Sequence, residues 1–169
     1  MGGKAGLVEP DERTARFLEA QTDGDRTVDV DLAPDDDATY AGGVHTYRAE
    51  DVEPQVSTPS NPENAVPVSD VAGTAVDQVF VGTCTNGRYE DIRIVADILE
   101  GEAVADGTRL MVVPASRSVY QLMLQTGVME TLTEAGAIVE SAGCGPCFGT
   151  HMGVLGDGDV GLATANRNF

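Results

Sequence analysis

Three cysteines are the residues of this 169-residue sequence with the most chemistry to offer. Two stand in the run Gly143-Cys144-Gly145-Pro146-Cys147-Phe148-Gly149, and the third, Cys84, stands in Gly82-Thr83-Cys84-Thr85-Asn86-Gly87-Arg88. Each run follows a short apolar, β-branched stretch and is rich in small, turn-forming residues, so each is expected to cap a strand and expose its thiol. Thiolates are soft ligands suited to zinc and iron, and a Cys-x-x-Cys pair with a distant third cysteine admits four readings. Buried cysteines acting as small hydrophobes fit poorly among glycines and polar residues. A thioredoxin-like redox pair should open a helix after an N-terminal strand, and it leaves Cys84 without a role. A structural zinc site would take Cys84, Cys144, Cys147 and the nearby His151 as ligands, although such sites usually use two close-spaced pairs and Cys84 has no neighbour. The fourth reading is an iron–sulfur cluster held by only three thiolates. Clusters used for electron transfer normally have four, whereas an iron left open is a Lewis acid that can hold a hydroxyl and a carboxylate together.

Weaker signals point elsewhere. Gly156-Asp157-Gly158-Asp159-Val160-Gly161 satisfies Gly-x-Gly-x-x-Gly literally, but its two aspartates would face a pyrophosphate, so it reads as a turn. Asp23-Gly24-Asp25 opens like a calcium loop, yet Val28 takes the place of the required glycine and Pro34 that of the bidentate glutamate. Lys4, the single lysine, sits near Glu9 and Asp11 and makes a poor phosphate site. Cys147 and His151 can be drawn as nucleophile and base, but no other feature supports such a pair.

The sequence holds 28 acidic against 10 basic residues, a net charge of −18. Such a surface repels phosphate backbones and anionic lipid, which argues against nucleic-acid and membrane partners. The acidic residues interleave with apolar runs, so the charge reads as a halophile-type solvated surface rather than as disorder. No stretch approaches the roughly 18 apolar residues of a membrane span, and Met1 to Gly6 lacks the apolar centre of a signal peptide; a cytoplasmic location is expected. An odd number of cysteines in such a chain fits metal or catalytic use in a reducing compartment better than disulfides. With four Phe, four Tyr and no Trp, the core must be built from Val, Ile, Leu, Met and Ala, as in parallel strands covered by helices.

The cysteines need strands to carry them. Val79-Phe80-Val81 predicts a strand leading into Cys84, and Ile92, Val95, Ala96 and Leu99 recur at helical spacing on a segment that opens with Glu90-Asp91 and stops at Gly101. Leu110 to Val113 predicts a second strand, ended by Pro114, and Val119, Leu122, Met123 and Thr126 mark the next helix face. A short helix over 129–134 and a strand over 137–139 lead to Gly143, and Leu162-Ala163-Thr164 predicts a fourth strand that delivers Asn166-Arg167. This alternation predicts an α/β fold, a three-layer parallel sheet with right-handed crossovers, in which ligands bind beyond the carboxyl ends of the strands. Upstream, Pro10-Asp11-Glu12 predicts a helix over about 11–20. Thr27 to Leu32 alternates like a short strand, and prolines 54, 59, 62 and 67 predict an extended connector.

With those elements in place, Gly82 to Arg88 followed by Glu90-Asp91 resembles the first cluster-cysteine motif of the aconitase superfamily. Gly143 to Gly149 resembles its Cys-x-x-Cys motif, and Asn166-Arg167-Asn168-Phe169 the motif that follows. Lys4 to Glu12, Val52 to Val56 and Val113 to Arg117 are also similar to the large subunits of the 3-isopropylmalate dehydratase and homoaconitase branch, archaeal type. The resemblance implies a hydro-lyase that removes water from a hydroxy acid and adds it back with the hydroxyl on the neighbouring carbon, at the open iron of a [4Fe-4S] cluster. It implies conversion of 2-isopropylmalate to 3-isopropylmalate in leucine biosynthesis, with homoaconitate or citramalate as the alternative substrate.

The resemblance implies Cys84, Cys144 and Cys147 as cluster ligands and Asn166 as a hydrogen-bonding neighbour of the cluster. It gives Arg167 a substrate carboxylate, where a planar fork suits better than a point charge. The family's earlier acidic and histidine motifs have no counterpart here, the sequence stops before a Gly-Arg pair, and the serine base lies on a swivelling domain that two-subunit enzymes carry as a small subunit. The expected organisation is therefore residues 1–51 as the remainder of a preceding α/β segment, 52–69 as a Pro-rich extended connector, and 70–169 as an α/β cluster-binding domain truncated at its C-terminus. Such a chain is expected to be inactive alone, with the small subunit and a small hydroxy di- or tricarboxylic acid as partners. The rival of another class is a non-catalytic, zinc-stabilised binding module.

Overall fold

The computed structural model describes residues 6–25, 32–149 and 152–165. The chain divides into two compact units, Met1–Glu53 and Pro54–Phe169. In the first, helix α1 (Glu12–Gln21) starts where the sequence predicts. The Asp11 side chain caps it, accepting from the Thr14 amide at 2.8 Å and the Thr14 hydroxyl at 2.9 Å, and these bonds hold the Asp11 carboxyl below the usual carboxylate range. No residue of α1 is buried, so local capping rather than core packing defines its ends. The strand-like alternation falls almost wholly on residues 26–31, outside the described residues. Among the described residues this unit has no strand.

The second unit opens with β1 (Gln55–Ser57) and β2 (Ala65–Pro67), paired antiparallel. The Pro-rich stretch holds both strands and folds back on itself between them. Both strands of a two-stranded ribbon are edges, where a proline's missing N–H does not interrupt a second ladder.

The remaining elements are β3 (Gln78–Gly82), α2 (Thr83–Asn86), α3 (Tyr89–Leu99), β4 (Arg109–Val113), α4 (Arg117–Thr126), α5 (Val128–Glu134), β5 (Ile138–Val139) and β6 (Gly161–Ala163). The four strands β3 to β6 form one sheet in the order β5-β4-β3-β6, every pair parallel. Helix starts and stops follow local signals. The Arg88 amide donates to the Asp91 carboxylate ahead of α3, Ser116 caps α4 by accepting from the Val119 amide, and Gly127 at φ +82 ends α4 and begins α5.

Strand alternation splits the core between the two faces. Val81, Leu110 and Val112 pack with Ile92, Ala96, Met123, Val128 and Leu132 from the three helices α3, α4 and α5. Phe80, Met111 and Val113 point to the other face, where Cys147, Met152 and Ala165 cover them. Chain direction explains the division. The steps β3 to β4 to β5 move one way across the sheet with helices on one face, and the return from β5 to β6 is right-handed only if it crosses the opposite face. Among the described residues the cover on that face is irregular chain with a 3-10 turn at Gly145–Cys147.

Candidate metal centre

The carboxyl end of β3 is shaped by two glycines. Gly82 has φ +114, and a Cβ on it would come within 2.0 Å of the Val113 carbonyl oxygen; a Cβ on Gly87 would meet the Thr83 and Val113 carbonyl oxygens at 2.4 and 2.7 Å. Only glycine allows the 82–87 loop to fold this close over the end of β4. The Ala115 amide donates to the Gly87 carbonyl at 2.8 Å and seals the contact. Cys84 lies between these anchor points, exposed at the edge of the sheet.

Thr83 carries the cost of that turn. It takes φ +73, a region that costs a β-branched residue about 1–3 kcal/mol. It is 1% exposed, and its Oγ1 has no hydrogen-bond partner among the described residues, a further cost of about 1–3 kcal/mol.

The second cysteine run reaches the same end of the sheet by packing. Exposed Cys144 leads into the Gly145–Cys147 turn, and the Cys147 amide donates to the Cys144 carbonyl at 3.2 Å. Gly145 has φ +50, and a Cβ there would stand 3.1 Å from Val113 Cγ2 and 3.6 Å from the Phe80 ring. Half-buried Cys147 rests on the Phe80, Met111 and Val113 cluster. Further along, Gln78 Nε2 donates to the Gly153 carbonyl at 2.7 Å and ties the crossover to the start of β3.

A third segment arrives beside the first. The Thr164 amide donates to the Phe80 carbonyl at 3.0 Å, Thr164 Oγ1 accepts from the Gly82 amide at 3.1 Å, and Asn86 Nδ2 donates to the Thr164 carbonyl. The chain leaving β6 is therefore clasped to the Cys84 loop. Asn166 and Arg167, which follow, lie outside the described residues, as does His151, the fourth ligand of the zinc alternative. Sequence reading singled out neither Asn86 nor Thr164, nor Thr83; their only signal was a place within or next to the recognised motifs.

No disulfide joins the cysteines. Their two runs share the carboxyl edge with the segment leaving β6, but among the described residues no three His, Cys, Asp or Glu side chains are gathered into a set that would hold a metal ion. Gly156 to Gly161 is a turn, closed by the Asp159 amide on the Gly156 carbonyl and the Gly156 amide on the Asp159 carboxylate. Asp159 also pairs with Arg109 at 3.2 Å, which spends it on structure. No helix among the described residues is long and apolar enough to cross a membrane.

Comparison with known proteins adds to this geometry. Residues 69–169 match the aconitase family (aconitate hydratase). The whole chain is 52% identical to 3-isopropylmalate dehydratase large subunit 1 of Methanopyrus kandleri, of which it covers 40%. It is 51% identical to the probable 3-isopropylmalate dehydratase large subunit of Methanosarcina mazei, again covering 40% of that chain. It is 44% identical to the probable methanogen homoaconitase large subunit of Methanothermobacter thermautotrophicus, covering 39%. The chain thus spans about 40% of the length of these relatives.

Proposed function

The chain belongs to the aconitase family, and from that premise we propose that it carries the metal-binding part of a hydro-lyase converting 2-isopropylmalate to 3-isopropylmalate. The observation that carries this reading is the arrival of both cysteine runs, not joined by a disulfide, at one carboxyl edge of a parallel sheet. Two relatives named as dehydratase large subunits support the substrate, and a relative named as a homoaconitase keeps the longer tricarboxylate as the alternative. Neither the family nor these relatives lend support to a zinc-stabilised binding module.

The residues suit a [4Fe-4S] cluster in donor type and approach. Cys84 and Cys144 are exposed, Gly82, Gly87 and Gly145 bring their backbones close at positions where a side chain would collide, and a buried hydroxyl beside Cys84 waits without a partner. Cys84, Cys144 and Cys147 would hold the cluster as thiolates, giving up their protons on binding. When bound, it would supply an open iron as Lewis acid for a substrate hydroxyl and carboxylate.

The chain's own residues then do the holding. Arg167 would pair two N–H groups with a second substrate carboxylate, and Asn166 would hydrogen-bond beside the cluster. The Asn86 to Thr164 clasp keeps the strand that delivers them against the Cys84 loop. The name "large subunit" on the relatives supports a small-subunit partner that completes the pocket. Three cysteines that form no disulfide and a strongly acidic sequence suit a reducing cytoplasm and a high-salt interior.

Anaerobic reconstitution of the chain with iron and sulfide tests the reading. The expected product is brown, with one iron lost more readily than the rest, and Cys84→Ala, Cys144→Ala and Cys147→Ala each abolish it. Colourless, stoichiometric zinc that disappears in His151→Ala would refute the proposal.

A further inference from the structure

Thr83 has no role in the reading so far, yet it is the most constrained residue of the edge. It stands directly before Cys84, 1% exposed, at φ +73, with the one buried side-chain oxygen among the described residues that lacks a hydrogen-bond partner. Glycine at this position would remove both penalties, and valine would remove the second. A buried hydroxyl without a partner calls for one that the chain alone does not supply.

The geometry points to Thr83 as a positioning residue whose hydroxyl donates to the metal-bound sulfur at Cys84; this rests on the cluster reading above. Thiolate and sulfide accept hydrogen bonds and have no proton to give, so they match a hydroxyl that can rotate to donate. Thr83, at positive φ, is buried, whereas Cys84 next to it is exposed. A partnerless donor and an exposed thiol are thus consecutive in the chain. A hydrogen bond to cluster sulfur stabilises the more negative reduced state and raises the reduction potential. It also strengthens the hold on the charged sulfur.

The test uses the full chain as wild type, Thr83→Ser and Thr83→Val, each reconstituted anaerobically with iron and sulfide. Three quantities are read: iron loss to a chelator, reduction potential by redox titration, and thermal unfolding of the unloaded protein. Unloaded Thr83→Val is expected to melt no lower than wild type, because it loses only a hydroxyl that has no partner. Loaded Thr83→Val is expected to lose iron about tenfold faster and to be reduced at a more negative potential, while Thr83→Ser keeps both wild-type values. If wild type takes up no cluster, the cluster reading fails and this assignment falls with it. If wild type loads and Thr83→Val matches its iron loss and potential, the assignment to Thr83 alone is overturned. Unloaded Thr83→Val melting well below wild type would also overturn it, by giving the hydroxyl a structural partner.

Discussion

The Cys84 loop is held in place by main chain, whereas the Cys144 to Cys147 loop is held by apolar side chains. The first depends on Gly82 and Gly87, whose backbones touch the Val113 carbonyl, and on the hydrogen-bonded clasp from Thr164. The second sits on Phe80, Met111 and Val113 and is closed by a turn bond from the Cys147 amide to the Cys144 carbonyl. Backbone contact leaves no freedom of approach, so the first loop is fixed to within the tolerance of a hydrogen bond. A seat of side chains adjusts, because methionine and aromatic contacts can shift without breaking the chain path. One cysteine is therefore placed rigidly and a close pair is placed compliantly.

Substitutions can separate the two modes of support. The largest effect is expected from Phe80→Ala, which removes the ring under Gly145 and Cys147 and should cost about 3–5 kcal/mol in denaturant unfolding. In the folded fraction, alkylation of Cys147 should quicken far more than that of Cys84; equal acceleration at both would break the comparison. Gly82→Ala should cost about 3 kcal/mol, from the clash with the Val113 carbonyl and the positive φ. It should alter Cys84 reactivity and leave Cys144 and Cys147 near wild type.

Asn86→Ala should cost less, about 1 kcal/mol, by removing the donor to the Thr164 carbonyl. Proteolysis beyond β6 should quicken, with Cys147 protected as before. Cleavage unchanged from wild type would show that the clasp does not hold the segment.

The smallest effect serves as a reference from the other unit. The Asp11 carboxyl is held below its ordinary value by its Thr14 bonds, so the ionised form is favoured in the folded helix. Its contribution is present above the unfolded aspartate pKa and is lost as pH falls through the lowered folded value. Far-ultraviolet circular dichroism should show a small loss of helix in that acid range, absent in Asp11→Ala, with neither cysteine loop affected.

Much of this architecture was legible before any coordinates. The run of β3, α3, β4, α4, α5 and β5 follows from period-2 and period-3.6 patterns that each segment carries by itself, with stops at Gly101 and Pro114. The ribbon of β1 and β2 was not legible, because prolines argue against strands unless the strand has a free edge. The α4 face was read too broadly: Met123 is fully buried, while Leu122 is 38% exposed and Thr126 is exposed as well. On a helix packed mainly against other helices, the buried stripe depends on the neighbours.

Composition, motif order and periodicity determined that this chain has three cysteines meant for one edge of a parallel α/β sheet, since those are local properties of side chains. Tertiary structure decided how the edge is made. That β6 lies beside β3, that the crossover carrying Cys144 and Cys147 takes the face without helices, and that Asn86 grips Thr164 across 78 residues of chain are long-range facts. So is the burial of the Thr83 hydroxyl. Chirality of the crossover and closeness of backbone to backbone select these arrangements, and neither is written in any single stretch of sequence.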